Sequence, residues 1–249
     1  MTNNLIIAHR GESFDAPENT LAAINLAWQR GAKAVEIDIR LTADNEIVVI
    51  HDKDTLRITG EKNVIENTPL KELKLLNAGF HKEGNWNNEQ IPTLNEVLET
   101  VPSDGKLIIE IKSDDSILLK LVYELSQSKL NPNQIEIIAF DLNTIAKAKQ
   151  LMPEYRMLWL LSLDYKLPWQ LVLHNNKQII KKVNKSNLDG VNVWAGKLLT
   201  HSFISEFKEA GLLVYTWTVD DPEKAKTIIN NGIDGLTTNR ASWMMEQLL

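Results

Sequence analysis

Two histidines, three carboxylates, an arginine and a lysine sit at or near the ends of apolar, β-branched runs in this chain. They fall in AHRG at 8–11, EID at 36–38, IHD at 50–52 and EIK at 110–112; TWT at 216–218 shares the setting. Charge at the mouth of a buried strand needs a partner or a task. Within AVEIDI, strand alternation puts Glu36 and Asp38 on one face and Val35, Ile37 and Ile39 on the other. Two like charges so placed repel unless a cation lies between them. Hard oxygen ligands suit a divalent ion, Mg2+ or Ca2+. The plain alternative is a carboxylate pair salt-bridged to neighbouring arginines or lysines. KLIIEIKS at 106–113 repeats the design, with Glu110 and Lys112 on one face and Leu107, Ile109 and Ile111 on the other. Glu110 can be the third carboxylate. Lys112, nearer the mouth, can meet an anionic oxygen or simply neutralise Glu110.

His9 and His51 both end apolar runs, LIIA and IVVI. Imidazole titrates near neutrality, so one ring can take a proton while another gives one. Arg10 offers a planar fork for a phosphate; a surface ion pair with Glu12 or Asp15 is its plainer use. Gly11 lets the backbone turn closely. Asp52 can orient a ring or cap a loop and carries no assignment. Trp217 faces the same way as Leu213 and Tyr215, as an apolar wall or as core. His81, His174 and His201 lie in loops or at helix starts without partner spacing, and are expected to face solvent.

These groups need elements to hold them. Apolar β-rich runs occur at 5–9, 35–39, 47–51, 107–111, 135–140, 156–161, 190–194, 213–219 and 233–237. Helical patterns lie at 17–30, 94–101, 116–129, 143–152, 200–210, 221–231 and 240–249. Alternating strand and helix imply a mainly parallel sheet. Asp15 with Glu18, Thr93 with Glu96 and Asp220 with Glu223 have capping-box spacing, and Thr200 suits a cap. Gly31, Gly211 and Gly232 sit just past helix ends. The expected fold class is α/β, a (β/α)8 barrel. No glycine-rich fingerprint follows the first strand to support a doubly wound sheet. Nine runs is one too many for eight strands. The pair at 35–39 and 47–51, joined only by LTADNE, is either a hairpin-like excursion or contains a run outside the barrel. Residues 53–92 are polar and broken by Gly60, Pro69, Gly79, Gly84 and Pro92. They read as a small cap insertion after the strand carrying His51, within one domain spanning 1–249. Loops at the C-terminal face of such barrels build active sites.

The 249 residues are 43% hydrophobic and 24% charged, enough for a full core, with net charge −6 and no basic block. Nucleic acid is therefore not expected as a partner. There is no cysteine, which excludes disulfides and thiolate chemistry and fits a cytoplasmic setting. MTNNLIIAHRGE has no basic n-region and only a short apolar run, and no other run approaches a membrane span, so no integral membrane association is expected. The composition leaves room for a homo-oligomer.

HRG at 9–11, PENT at 17–20, EIDIRLT at 36–42, VVIHD at 48–52, LRITG at 56–60, IPTLNEVL at 91–98, EIK at 110–112 and YTWTVD at 215–220 together resemble the glycerophosphodiester phosphodiesterases. The order and spacing match from residue 5 to about 112 and more loosely beyond. The resemblance implies a TIM barrel that hydrolyses glycerophosphodiesters to sn-glycerol 3-phosphate and an alcohol. It implies an acid/base pair at His9 and His51, one divalent ion on Glu36, Asp38 and Glu110, and phosphate contacts from Arg10 and Lys112. Trp217 is added as a substrate-facing wall. The chain departs from the family pattern in three places. TADN replaces the usual Thr-x-Asp-Gly turn, with Asn45 able to adopt the left-handed conformation. Asp220 stands where Trp-Thr-Val-Asn has Asn. DGLTTN ends in Asn239 where an Asp often closes the motif.

Three other readings compete with this one. A phospholipase D-like enzyme acting on lysolipids would share the barrel, metal and histidines but want an apolar loop facing the membrane; in 53–92 only Phe80 and Trp86 qualify. A non-catalytic barrel that binds glycerophosphodiesters would show decay of a histidine or carboxylate, and none is seen. An amidohydrolase-type barrel would want His-x-His on its first strand, which is absent.

Overall fold

The structure is a computed structural model that describes residues 6–84, 86–163 and 175–249. His174 lies outside the described residues. Among them, nine strands run β1 (Ile6–His9), β2 (Ala34–Leu41), β3 (Ile47–Val49), β4 (Lys106–Ile111), β5 (Ile135–Ala139), β6 (Arg156–Leu161), β7 (Gly190–Trp194), β8 (Leu213–Trp217) and β9 (Gly235–Thr238). Eight of them pair in parallel, and β1 pairs with both β2 and β9, which closes the ring. This is the TIM barrel expected from the alternation. The ninth run is a hairpin excursion: β3 lies antiparallel on the far end of β2, with Ile39 opposite Val49 and Leu41 opposite Ile47. The turn is made by Asn45 in the left-handed region, φ 60°, as the sequence suggested.

Strand alternation divides two cores. Val35, Ile37 and Ile39 point outward and are fully buried in the layer under the helices. Each such side chain contributes ~1.5–3 kcal/mol by leaving water. Ile7, Ala34, Ile108, Ile138, Leu158, Leu160 and Tyr215 pack inside the ring. Along β1, β2 and β4 the next inward positions after Ile7, Ala34 and Ile108 are His9, Glu36 and Glu110. The apolar plug therefore ends where the charged groups begin.

The helices are α1 (Leu21–Gln29), α2 (Leu56–Thr59), α3 (Leu70–Leu73), α4 (Leu94–Leu98), α5 (Leu118–Gln127), α6 (Leu142–Leu151), α7 (Asn176–Lys185), α8 (His201–Glu209), α9 (Pro222–Asn230) and α10 (Ala241–Gln247). Two capping expectations hold. Thr93 and Glu96 form a full capping box, and the Thr200 side chain accepts from Phe203 N. Two are corrected. Helix α1 starts at Leu21, not at 17, because Asn19 is left-handed (φ 59°) and Thr20 is the cap; Asp15 and Glu18 cap nothing there. Helix α9 is capped by Asp221, whose carboxylate accepts from Lys224 N at 3.0 Å, which releases Asp220 for another contact. Helix α7 was not among the expected helices; its apolar stripe is only Ile179, Ile180 and Val183 in a lysine-rich stretch.

Between β3 and α4 the chain packs α2, a 3-10 turn at Ile65–Asn67 and α3 around a small cluster of Val48, Ile50, Ile58, Ile65, Leu73, Ala78 and Ile91. None of the described helices is long and apolar enough to cross a membrane.

Candidate active site

The parallel pairing brings the charged strand ends together at the C-terminal face of the barrel. His9 is level with Glu36 across β1 and β2, and Asp38 is level with Glu110 across β2 and β4. Glu36, Asp38 and Glu110 are all buried, and one carboxylate oxygen from each lies within 4.8 Å of the others. Glu36 Oε1, Asp38 Oδ1 and Glu110 Oε1 make no well-formed hydrogen bond. Lys112 Nζ lies 2.6 Å from Glu110 Oε1 and 3.3 Å from Asp38 Oδ1, so the Glu110–Lys112 neutralisation considered from sequence is present.

Lys112 and Arg10, the latter shared with Glu18, do not balance three buried carboxylates. Burial and the neighbouring charges of Asp38 and Glu110 push Glu36 well above the usual carboxylate range. Burial, reinforced by Asp38, pushes Glu110 up to about 7. Burial acts on Asp38 too, but Arg10 and Lys112 outweigh it and hold Asp38 below its ordinary value. Buried carboxylate oxygens that face one another with more negative charge than their cations cancel are what a hard divalent ion satisfies. The residues present fit such an ion.

His51 follows Ile50, whose N–H donates to Asp38 O at 2.9 Å. Its own carbonyl accepts from Arg40 Nε at 2.9 Å, and Arg40 Nη1 also reaches Lys112 O at 3.2 Å. Arg40 therefore fastens the backbone of both His51 and Lys112. Asp52, unassigned from sequence, stands 2.7 Å from His51 Nδ1. His9 Nδ1 lies 2.6 Å from Asn239 Oδ1, and its Nε2 faces Glu36 Oε2 at 4.0 Å. Burial, with Arg10 beside it, lowers His9 to about 4; burial also lowers His51. Both rings are thus neutral at pH 7 in the absence of other charges.

Arg10 is left-handed (φ 57°) and is followed by Gly11 (φ 81°). A Cβ on Gly11 would sit 2.5 Å from the Ala23 carbonyl carbon, so glycine is required for helix α1 to approach. The turn aims Arg10 N at Glu36 Oε2, 3.1 Å away, and Arg10 Nε at Asp38 Oδ2, 3.0 Å away. Arg10 does not pair with Glu12 or Asp15, which face Arg30 instead. Its Nη1 meets Glu18 Oε1 at 2.8 Å. Glu18 also takes Arg57 Nη1 and Nη2 at 2.8 and 2.7 Å, and Arg57 Nε meets Asp52 Oδ2 at 2.6 Å. Against the effect of burial, these two guanidiniums hold Glu18 down to about 2. A continuous chain of charge, Arg10–Glu18–Arg57–Asp52–His51, links the two histidine loops.

Glu18, Asn19, Arg57 and Asn239 were not assigned to the site from sequence. PENT and LRITG contained three of them, but a helical reading of 17–30 concealed the first two. Asn239 had no pattern around it beyond its departure from the family motif.

His9, Arg10, Glu36, His51, Glu110 and Lys112 line one cavity of about 360 Å³, together with the apolar Ile138, Phe140, Leu160 and Trp217. Trp217 meets Phe140 edge-on, centroids 5.6 Å apart, and its Nε1 donates to Asn192 O at 3.4 Å. It is a wall of this cavity. His201 is exposed, as expected. His81 is not: it is half-buried with Nδ1 3.3 Å from Ile58 O. In the insertion Leu56, Leu75 and Phe80 are exposed, so its apolar surface is larger than Phe80 and Trp86 alone suggested.

Comparison with known proteins places this geometry. The model of the glycerophosphoryl diester phosphodiesterase family matches residues 9–242. A glycerophosphodiester phosphodiesterase of Caldanaerobacter subterraneus subsp. tengcongensis is 30% identical over 240 residues, covering 94% of this chain and 93% of that protein. An Oleispira antarctica phosphodiesterase, solved in complex with the product sn-glycerol-3-phosphate, superposes with a TM-score of 0.87 at 30% identity, covering 98% of this chain and 96% of that one. A glycerophosphodiester phosphodiesterase of Thermotoga maritima superposes with a TM-score of 0.78 at 26% identity, covering 97% of each chain.

Proposed function

The chain belongs to the glycerophosphoryl diester phosphodiesterase family, and we propose that it hydrolyses glycerophosphodiesters to sn-glycerol 3-phosphate and an alcohol with the help of one divalent cation. The observation that carries this reading is the meeting of His9, His51, Arg10, Lys112, Glu36 and Glu110 in one cavity, with buried Asp38 clustered against the two glutamates. Glu36, Asp38 and Glu110 would hold the ion. When bound, a Mg2+ or Ca2+ ion neutralises charge on the phosphate oxygens.

The chain's own residues supply the remaining parts. Arg10 and Lys112 set cations beside the carboxylate trio, where a phosphodiester's remaining oxygens are clamped. One histidine, neutral, takes a proton from the nucleophile, which is water or the adjacent glycerol hydroxyl (the latter gives a cyclic diester that water then opens), and the other, charged before the step, gives its proton to the leaving alkoxide. Asp52 orients His51 and stabilises its protonated form. Trp217 and Phe140 form an aromatic wall of the cavity, with Phe140 beside Lys112, and shield the site from water. The insertion over 53–92 is a cap: through Arg57 it connects to the loops bearing both histidines. The substrate is a small phosphodiester, and no partner macromolecule is required.

An enzyme-coupled assay for glycerol 3-phosphate tests this over a panel of glycerophosphodiesters, including the choline and ethanolamine diesters. Release from at least one, abolished by chelator and restored by Mg2+ or Ca2+, is the expected result. No release from any, together with cleavage of lysophospholipid, would replace this reading with the lysolipid one, to which the exposed Leu56, Leu75 and Phe80 would then belong.

A further inference from the structure

Two of the sequence's departures from the family pattern, Asp220 and Asn239, touch each other in space. Asn239 Nδ2 donates to Asp220 Oδ2 at 2.6 Å, and Asn239 N donates to Asp220 Oδ1 at 2.8 Å. The Thr238 hydroxyl donates to the same Oδ1 at 2.8 Å. Asn239 Oδ1 then faces His9 Nδ1 at 2.6 Å, and the Ser13 hydroxyl donates to that Oδ1 at 3.3 Å.

We propose that Asp220 and Asn239 are a positioning pair that dictates which nitrogen of His9 carries the proton. A carboxylate only accepts hydrogen bonds. The side of the Asn239 amide turned toward Asp220 must therefore be its NH2, and the side turned toward His9 must be its oxygen. An oxygen 2.6 Å from Nδ1 requires a hydrogen on Nδ1. The lone pair of neutral His9 is thereby placed on Nε2, the nitrogen turned toward Glu36 and the cavity. The inference rests on the reading above, in which His9 exchanges a proton with the substrate.

The motifs by which this sequence resembles its family often carry Asn at the position of Asp220 and Asp at that of Asn239. In this chain both members are exchanged. A single return to the family residue should therefore be harmful. In Asp220→Asn, the amide oxygen keeps the two bonds from Thr238 Oγ1 and Asn239 N, so its NH2 confronts the NH2 of Asn239. Asn239 must turn over, present NH2 to His9 Nδ1 and force the proton to Nε2. In Asn239→Asp, two carboxylates face each other. In the double variant, the amide introduced at position 220 donates to the carboxylate introduced at position 239. The other oxygen of that carboxylate again accepts from Nδ1–H, and the original tautomer returns.

The test is ¹⁵N NMR of the histidine ring nitrogens at neutral pH, with and without Mg2+, with His9 assigned by its loss in His9→Gln, alongside kcat and KM on the same proteins. Wild type should show Nδ1–H. Asp220→Asn should show Nε2–H and lose ~10²-fold or more in kcat, the worth of one proton-transfer group, with KM little changed. The double variant should recover Nδ1–H and most of kcat. An unchanged tautomer in Asp220→Asn, or a double variant no better than the worse single, overturns the proposal. If wild type releases no glycerol 3-phosphate, the functional reading fails while the ring nitrogens still decide the pair. If wild type is active and the tautomer ignores residue 220, the pair fails and the reading stands.

Discussion

Asn19 holds Asp38 by two bonds: its Nδ2 donates to Asp38 Oδ2 at 2.8 Å, and its Oδ1 accepts from Asp38 N at 3.2 Å. Both residues are buried. The contact fills a gap on the edge of β2. Strand β1 stops pairing at Glu36 and β3 begins at Ile39, with Ile50 N on Asp38 O. The one N–H left between them finds the Asn19 side chain, so a backbone vacancy on the sheet and the aim of an acidic side chain are solved together.

Asn19→Ala should therefore cost both fold and site. Removing it leaves the Asp38 N–H and one carboxylate oxygen without these partners, a loss of about 2–4 kcal/mol for bonds to a buried, charged group. Urea unfolding should show that loss, and calorimetric titration with Mg2+ should show weakened binding. Unfolding at the wild-type midpoint would contradict the role given to Asn19.

Divalent cation binding should release protons near neutrality. Glu110 is raised to about 7 and Glu36 is raised well above its ordinary value, so a cation must displace protons held there. A raised folded-state value means that the contribution of these two glutamates to metal-free stability is greatest below the ordinary glutamate range and is lost as pH rises through about 7. Thermal melts of chelated protein should drop as pH rises from about 6.5 to about 7.5, the window in which His9 and His51 are neutral in folded and unfolded chain alike and no longer oppose the glutamates, and Mg2+ or Ca2+ should offset most of the drop. Titration heats should scale with buffer ionisation enthalpy. A flat melting profile with buffer-independent heats would remove the acidic trio as the cation site.

Arg57→Ala should uncouple the two histidine loops while sparing the fold. Arg57 is half-exposed, so its pairs with Glu18 and Asp52 add little to stability. The variant should melt within a few degrees of wild type yet lose about tenfold in kcat, because Asp52 and Glu18 no longer share a fixed partner. Full activity would confine Arg57 to surface electrostatics.

His9→Ala and His51→Ala should each abolish detectable turnover, a loss of ~10²–10⁴-fold or more, with circular dichroism unchanged. Retained activity in either would withdraw the acid/base role from that residue.

Much of this was legible in the sequence because strand periodicity is short-range. The alternation in AVEIDI and KLIIEIKS placed Glu36, Asp38, Glu110 and Lys112 on inward faces, and the parallel register then brought them level. What escaped was set by irregular backbone. Pro17–Asn19 looked like the first turn of a helix, yet left-handed Asn19 and the Thr20 cap free Glu18 and Asn19 for the site. The β3 hairpin could not be separated from a barrel strand by composition, since both are apolar runs of similar length. Asp220 carried a convincing cap spacing, but the adjacent Asp221 takes that task. Contacts such as Asn239 with His9 span 230 positions, and no local pattern reports them.

Cation-dependent cleavage on one side of the phosphate is the central claim. ³¹P NMR of wild-type protein with glycerophosphocholine and glycerophosphoethanolamine, with Mg2+ or Ca2+ and with chelator, measures it most directly. The resonance of at least one diester should be replaced by that of glycerol 3-phosphate when the cation is present, and chelator should stop the conversion. Formation of the phosphorylated alcohol with free glycerol, or conversion indifferent to chelator, would contradict it.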